Sequence, residues 1–224
     1  MLYLQNLSYH PPASALPILQ SINLELGPQQ LGLVIGPSGS GKSTLLEILS
    51  GLAVQTKGKV LWRTQELDSI YLQQLAGLVF QFPERHFCGG TILEELRLGH
   101  PELDVEQVHN ALKEVGLNSL SLNTPPQALS GGQQRRLALA VQLIRQPHVL
   151  LLDEPTAGLD WSMRRQLVSL LAKLKAHWTL FVVTHDASDL LPIADCCWTI
   201  DRGQLTAVPV SDLQAKAEQC VAAS

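Results

Sequence analysis

Charged residues are scarce in this sequence of 224 residues. They make up 16% of the chain, where about a quarter is usual in globular domains, and the formal net charge is −4. Nucleic-acid-binding proteins usually carry a basic face. Here, however, arginines are adjacent only in two short pairs, Arg135–Arg136 and Arg164–Arg165, inside helical patterns. We therefore expect these pairs to lie on solvated helix faces, and we expect no nucleic-acid partner.

The sequence also lacks the features of a secreted or membrane-spanning chain. Its first residues, MLYLQNLSY, contain no basic region and no long apolar run, so we expect no signal peptide. No stretch reaches the roughly 18 uninterrupted apolar residues that a membrane span requires. Cys88, Cys196, Cys197 and Cys220 do not have metal-ligand spacing, which is typical of ordinary cysteines in a reducing compartment.

Short apolar runs alternate with helical patterns along most of the chain. Continuous runs such as LGLVI and VLLLD predict strands buried on both faces, as in a parallel sheet flanked by helices. Residues 84–146 show no convincing strand, and Asp104 with Gln107 predicts a capping box at the start of a helix there. We therefore predict one domain, with an α/β core (1–83 and 147–224) and a helical subdomain (84–146). Predicted strands lie at 2–7, 21–26, 31–35, 58–62, 77–80, 148–152, 179–183 and 196–201.

The segment GPSGSGKS (36–43) fits the pattern G-x-x-x-x-G-K-[ST] and lies between a predicted strand and a predicted helix. Its glycines allow backbone N–H groups to surround a phosphate, and the helix start adds its dipole. Lys42 is suited to the β- and γ-phosphates, and Ser43 offers a hydroxyl to Mg²⁺. The alternative, a Gly/Ser loop without function, does not explain the flanking strand and helix.

Polar side chains follow three further apolar runs. Asp153 ends a buried run and is our candidate Mg²⁺ ligand, while Glu154 is placed to orient or deprotonate an attacking water. His185 follows another run and is our candidate for a contact to the γ-phosphate. Gln81 follows a third and is suited to Mg²⁺ or the water. Each is a weak indication alone, because such residues commonly end strands, but together with the phosphate loop they indicate a nucleotide-hydrolysing site.

A second glycine-containing turn opens a helix far downstream, in LSGGQQRR (129–136). A helix N-terminus of this kind commonly binds an anion. One loop already surrounds the phosphates, so a second is useful only on the other side of the γ-phosphate. The residues themselves leave open which chain supplies that side.

These motifs, in this order, resemble those of the ATPase subunits of ABC transporters. The resemblance spans almost the whole chain, and LSGGQ separates this family from other P-loop enzymes. It implies an α/β fold: a P-loop NTPase core with a mainly parallel sheet, an N-terminal antiparallel β portion and an inserted helical subdomain. It also implies an ATPase that uses ATP and Mg²⁺.

The resemblance assigns a role to each motif. Gln81 corresponds to the Q-loop glutamine, His185 to the switch histidine and Asp160 to the D-loop aspartate. Tyr9 corresponds to an aromatic residue that stacks on adenine, with an ordinary strand-end tyrosine as the alternative. The implied ATP-binding residues are Tyr9, Gly36, Pro37, Ser38, Gly39, Ser40, Gly41, Lys42, Ser43 and Thr44. The implied catalytic residues are Gln81, Glu154 and His185, the Mg²⁺ ligands are Ser43, Gln81 and Asp153, and the contacts to a partner's ATP are Ser130, Gly131, Gly132 and Gln133.

The resemblance further implies a head-to-tail dimer around two ATP molecules, made with a second copy or a related ATPase. It implies a separate integral membrane subunit, which would hold the chain at the cytoplasmic face of a membrane. The segment Phe82 to Thr91 is our candidate docking surface, although Phe82 and Phe87 are equally compatible with the core. The stretches QFPERHF, RRLALA and DEPTAGLD resemble the energy-coupling-factor group, which drives uptake of vitamins and of transition metals such as cobalt and nickel.

Four alternatives remain open at this stage. A soluble ABC-type ATPase of repair, assembly or translation typically carries coiled-coil inserts, tandem ATPase domains or basic surfaces. A transporter subunit for lipid or another substrate would have the same motifs. A small-molecule kinase would give no reason for LSGGQ. A nucleotide-dependent scaffold would require Glu154 to be catalytically idle.

Overall fold

The computed structural model of the chain describes residues 1–12 and 14–215, which form two sheets and the helices around them. The strands are β1 (Leu2–Tyr9), β2 (Leu19–Leu26), β3 (Leu31–Ile35), β4 (Lys57–Trp62), β5 (Gln65–Glu66), β6 (Ala76–Val79), β7 (Val149–Asp153), β8 (Thr179–Thr184), β9 (Cys196–Asp201) and β10 (Gln204–Val208). The α-helices are α1 (Lys42–Leu49), α2 (Ser69–Leu75), α3 (Ile92–Leu96), α4 (Val105–Glu114), α5 (Gly131–Leu143) and α6 (Trp161–Leu174).

The larger sheet has six strands in the order β10-β9-β3-β8-β7-β6. All its pairs are parallel except β10 with β9, a hairpin at the edge. Strands β7 and β8 are buried over their whole length, as their continuous apolar runs predict. The smaller sheet is antiparallel, in the order β2-β1-β4-β5. The predicted fold class, a mainly parallel sheet with an N-terminal antiparallel portion, is confirmed.

Two apolar clusters lie on opposite faces of the six-stranded sheet. Because neighbouring residues of a strand point to opposite faces, Leu151 and Leu152 of β7 enter different clusters. One cluster joins β7 and β8 to α1 and the small antiparallel sheet. The other joins them to α3, α4, α5 and α6. The sheet is therefore covered on both sides, and its strand ends are the places left for polar function.

Residues 84–146 contain helices and turns and no strand. The capping box at Asp104 is present: its side chain accepts the N–H of Gln107, and the Gln107 side chain accepts the N–H of Asp104. The apolar cluster beneath α3, α4 and α5 continues into the six-stranded sheet. A helical subdomain separable from the core at 84 and 146 therefore stays a prediction.

The prediction that both arginine pairs lie on solvated helix faces is wrong for Arg135, which is only 3% exposed. It lies in the first turns of α5, a helix packed against β6 on one side and reaching the segment after β7 on the other. Arg165 is exposed as expected. None of the helices in the described part of the chain is long and apolar enough to cross a membrane. The sequence of residues 211–224 predicts a short helix or a frayed tail; residues 210–215 are helical, and residues 216–224 lie outside the described residues.

Candidate functional site

The phosphate-type loop connects the end of β3 to the start of α1. Gly39 and Gly41 have φ angles of 79° and 106°, a region that strongly favours glycine. A Cβ atom at Gly41 would also lie 2.7 Å from the side chain of Leu19. The loop conformation therefore explains two of the three glycines of the motif directly.

A cavity of about 460 Å³ opens where β3, β6, β7 and β8 end. The carboxyl ends of parallel strands are the usual place for ligands in such sheets, and the N-terminus of α1 contributes its dipole here. The residues that line the cavity are Ile18, Ser38, Gly39, Gly41, Lys42, Ser43, Thr44, Gln81, Asp153, Glu154 and His185. The structure thus brings most of the predicted phosphate, metal and catalytic residues into one place.

The Lys42 ammonium lies inside the loop and is 6% exposed. It donates hydrogen bonds to the carbonyl oxygens of Gly36, at 2.8 Å, and Pro37, at 3.0 Å. It also lies 3.8 Å from the Glu154 carboxylate. An ammonium group has three donors, so one remains for an anion in the cavity.

Two oxygen-bearing side chains lie side by side in the cavity. Ser43 Oγ donates to Asp153 Oδ2 at 2.8 Å. Burial raises the pKa of Asp153 above its ordinary value and the Glu154 charge adds to this, while the Ser43 hydrogen bond and the Lys42 charge oppose it. Paired hard oxygens fit Mg²⁺, which is commonly held by one or two protein ligands plus phosphate oxygens. Among the described residues no cluster of three His, Cys, Asp or Glu side chains could hold a metal.

Glu154 is held rigidly at the back of the cavity. Its backbone is left-handed, with φ of 47°, a conformation that a non-glycine residue adopts at some cost. Its carboxylate accepts hydrogen bonds from Thr184 Oγ1, at 2.8 Å, and from the backbone N–H of His185, at 2.9 Å. His185 Nδ1 lies 2.8 Å from the same carboxylate, and the His185 side chain is 56% exposed at the rim. This arrangement fixes a carboxylate next to an exposed imidazole, which suits the activation of a water.

Tyr9 does not line the cavity. It ends β1, packs against the core of the small sheet, and its carbonyl oxygen accepts the N–H of Ile18 at 2.8 Å. Ile18, which does line the cavity, has no signature in the sequence that would single it out. Thr184 is the last residue of β8 at this edge of the sheet. Only the structure shows that its hydroxyl donates a hydrogen bond to the Glu154 carboxylate. Stacking of Tyr9 on an adenine ring stays a prediction.

The LSGGQ turn lies elsewhere. Ser130 caps α5: its Oγ accepts the N–H of Gln133, and the Gln133 side chain accepts the N–H of Ser130. Ser130 and Gly131 are exposed, and none of residues 130–133 lines the cavity that holds Lys42. Asp160 caps α6 by accepting the N–H of Met163, and a Cβ atom at Gly132 would lie 3.0 Å from Met163 Sδ. Two capped helix starts therefore lie next to each other, apart from the phosphate loop.

Comparisons with known proteins agree with this geometry. Residues 19–157 match the family model described as ABC transporter. The chain is 40% identical, over 89% of its own length and 77% of the relative's, to ABC transporter I family member 11, chloroplastic, of Arabidopsis thaliana. It is 38% identical, over 84% of its length and 69% of the relative's, to the energy-coupling factor transporter ATP-binding protein EcfA2 of Symbiobacterium thermophilum.

Solved structures give the same result. The chain matches cbiO1 from Clostridium perfringens, described as part of the ABC transporter complex cbiONQ, with a TM-score of 0.89 and 27% identity, covering 97% of this chain and 92% of that one. It also matches a bacterial Atm1-family ABC exporter with ATP bound, with a TM-score of 0.84 over 42% of that chain. At 24% identity the second match shows the fold alone.

Proposed function

The chain belongs to the ABC transporter family, as an ATPase subunit whose ATP hydrolysis is coupled to transport, and we propose that it acts as one half of a dimer that encloses two ATP molecules. Each ATP would be bound by residues 36–44 of one chain and by residues 130–133 of the other. The observation that carries this proposal is the exposed, capped helix start at Ser130, which lies outside the chain's own cavity. A two-fold dimer makes both sites complete at once.

Within each site the chain's own residues have distinct tasks. Lys42 and the N–H groups of the loop bind the phosphates, and Ser43, Asp153 and Gln81 are the residues that would hold Mg²⁺. The ion would neutralise charge on the β- and γ-phosphates. Glu154 accepts a proton from, or orients, the attacking water, and His185 contacts the γ-phosphate from the rim. The γ-phosphate thus contacts both chains, which makes the closed dimer depend on ATP.

The raised pKa of Asp153 predicts a pH dependence for Mg²⁺. Protonation of this carboxyl begins at a higher pH than for an exposed aspartate, so Mg²⁺ affinity is full above the raised pKa and is lost as the pH falls through it. We expect the Mg²⁺-dependent gain in ATP affinity to fall more steeply on acidification in the wild type than in Asp153→Asn. The measurement is a Mg²⁺ titration of fluorescent ATP-analogue binding from neutral to mildly acid pH. Protonation of the nucleotide is common to both proteins, so parallel curves would contradict the prediction.

We further propose that the chain is peripheral on the cytoplasmic face of a membrane, bound to an integral membrane subunit through Phe80 and the segment 82–91. The buried Glu95 carboxylate shapes this segment by accepting the N–H groups of Cys88, at 2.8 Å, and Gly89, at 2.6 Å. Phe82 and Phe87 are half-buried, with Phe87 packed on the core. Phe80 is 39% exposed beside His86. A shaped loop with an exposed aromatic ring at its edge offers an apolar contact to a partner.

Phe80→Asp is expected to weaken this docking. An aromatic side chain that anchors an interface typically contributes about 2 kcal/mol, so the amount of membrane protein retained should fall roughly tenfold or more. The measurement is co-purification in mild detergent, with ATP binding as a check on folding. Val105→Asp is the matched control, because Val105 is another exposed apolar residue, on α4. Unchanged retention by Phe80→Asp would reject this docking surface.

The transported substrate we propose is a micronutrient taken up by the cell, either a vitamin or a transition-metal ion. This proposal is supported by the sequence identity to an energy-coupling factor ATP-binding protein and by the structural similarity to cbiO1. The membrane protein that co-purifies decides the matter. A small-molecule-capturing subunit would support uptake, and a lipid-binding partner would reject it.

A further inference from the structure

Arg135 is the most unusual polar residue outside the cavity. It is 3% exposed, and Nη2 donates its hydrogen bond at 2.9 Å to the carbonyl oxygen of Ala157. Its Nε and Nη1 atoms are buried without a partner among the described residues. A guanidinium carries five donors, and leaving buried donors unpaired is costly. An apolar residue at this position of α5 would leave no buried donor unpaired. The presence of an arginine here therefore needs a structural explanation.

The guanidinium lies where three segments meet. Its central carbon is 6.0 Å from the centre of the Phe82 ring, which follows Gln81. The same ring packs on Gly158, where a Cβ atom would lie 3.3 Å from the ring. Phe82 itself is in the left-handed region, with φ of 54°, so its backbone conformation has to be maintained by its surroundings.

The third segment is the turn that connects Ala157 to the catalytic residue Glu154. Ala157 follows Glu154 by one turn, and its N–H donates to the Glu154 carbonyl oxygen at 3.1 Å. Arg135 therefore contacts the residue next to Gln81 on one side and the turn that begins at Glu154 on the other. Its own helix begins at Ser130, the proposed contact to the partner's ATP.

The charge of Glu84 affects the protonation of Arg135. Burial lowers the pKa of Arg135, and the carboxylate of Glu84, which is half-buried two residues beyond Phe82, opposes this change. The Glu84 charge therefore favours a cation near the loop that carries Phe82. The electrostatics thus favour the junction that the ring contact and the hydrogen bond define.

We propose that Arg135 is a positioning residue that ties the start of α5 to Phe82 and to the turn after Glu154, so that the location of the signature helix sets the locations of Gln81 and Glu154. The inference rests on the proposed function for its role in catalysis, but the junction itself does not depend on it. A contact made at Ser130 would then be transmitted to the hydrolytic residues through one side chain.

The first test uses the nucleotide-free full chain. Arg135→Met keeps an unbranched side chain of similar helix propensity but removes the charge and the hydrogen bond to Ala157. We expect amide hydrogen exchange of residues 82–88 and 156–159 to rise about tenfold, the size of one buried charged hydrogen bond, with β3 and β7 unchanged. Arg145→Met is the control, because Arg145 is an exposed arginine just beyond the same helix. Equal exchange in the two variants would overturn the inference.

The second test separates positioning from general destabilisation. In ATP turnover we expect Arg135→Met to lower kcat about tenfold or more while the KM for ATP changes less than about twofold. Adding Gln81→Ala should then have little further effect, since the glutamine is already misplaced. Fully additive losses would show that Arg135 does not act through Gln81, and would overturn the coupling.

The conservative variant gives a third outcome. Arg135→Lys keeps the charge, but an ammonium group lacks the planar fork that lets one side chain lie near the Phe82 ring and donate to the Ala157 carbonyl oxygen together. It should resemble Arg135→Met, and full recovery of exchange and kcat would reject the bridging geometry. If the wild-type chain neither dimerises with ATP nor hydrolyses it, the proposed function fails, and the exchange experiment still decides whether Arg135 positions the two segments.

Discussion

Replacing Glu154 by glutamine should reduce ATP hydrolysis by roughly a hundredfold to ten-thousandfold, the usual contribution of a general base. The amide has nearly the same shape, and its oxygen, placed at the Oε2 position, can still accept from Thr184 Oγ1 and from the His185 N–H. What it loses is the ability to take a proton from water. It also removes a negative charge that lies 3.8 Å from Lys42, where phosphate would bind, so ATP affinity should not decrease. ATP should therefore be bound and retained.

This variant should accumulate as a closed dimer with ATP. Size-exclusion chromatography with light scattering would show the mass doubling with MgATP, and phosphate release would report turnover. Glu106→Gln is the control, because Glu106 is an exposed glutamate on α4, away from the cavity. A Glu154→Gln protein that stays monomeric in MgATP and hydrolyses it at the wild-type rate would reject both the catalytic role and the dimer.

Most of the fold can be predicted from the sequence because the central strands are continuous apolar runs. LGLVI and VLLLD correspond to β3 and β7, and the remaining predicted strands agree with the structure to within about two residues. The strands that were missed, β5 and β10, are short or polar edge strands, QE and QLTAV. An edge strand is fixed by pairing with its neighbour, β4 or β9 here, and carries little hydrophobic periodicity of its own.

Some residues of the candidate site can likewise be predicted from the sequence, and others cannot. Lys42, Ser43, Asp153, Glu154 and His185 were predictable. The loop motif places the first two at the start of α1, the other three lie at strand ends, and a parallel sheet brings these positions to one edge.

The supporting residues were not predictable. In the sequence, Arg135 resembles an ordinary polar helix residue. Its burial arises because α5 packs against one segment about 50 residues upstream and another about 20 residues downstream. Ile18 enters the cavity through a contact with Tyr9 that only the fold creates. Local patterns identify groups that do chemistry, whereas tertiary packing decides which residues hold them.

The LSGGQ turn is the part of the site that one chain cannot complete, and Ser130→Arg tests this directly. The arginine side chain would occupy the space into which the partner's γ-phosphate has to enter. Because Ser130 does not line the cavity of its own chain, ATP binding by the isolated chain should stay within about twofold of wild type. Dimerisation with ATP and turnover should both be abolished.

Loss of the helix cap has to be separated from loss of the phosphate contact. Ser130→Arg removes a cap that typically contributes about 1 kcal/mol. Ser130→Asp retains a good cap but brings a negative charge towards phosphate, so it should prevent dimerisation as well. Asp104→Ala removes the equivalent capping box of α4 and should leave dimerisation intact. If either Ser130 variant abolishes ATP binding by the monomer, the LSGGQ turn contacts the chain's own nucleotide, and the two-chain site is wrong.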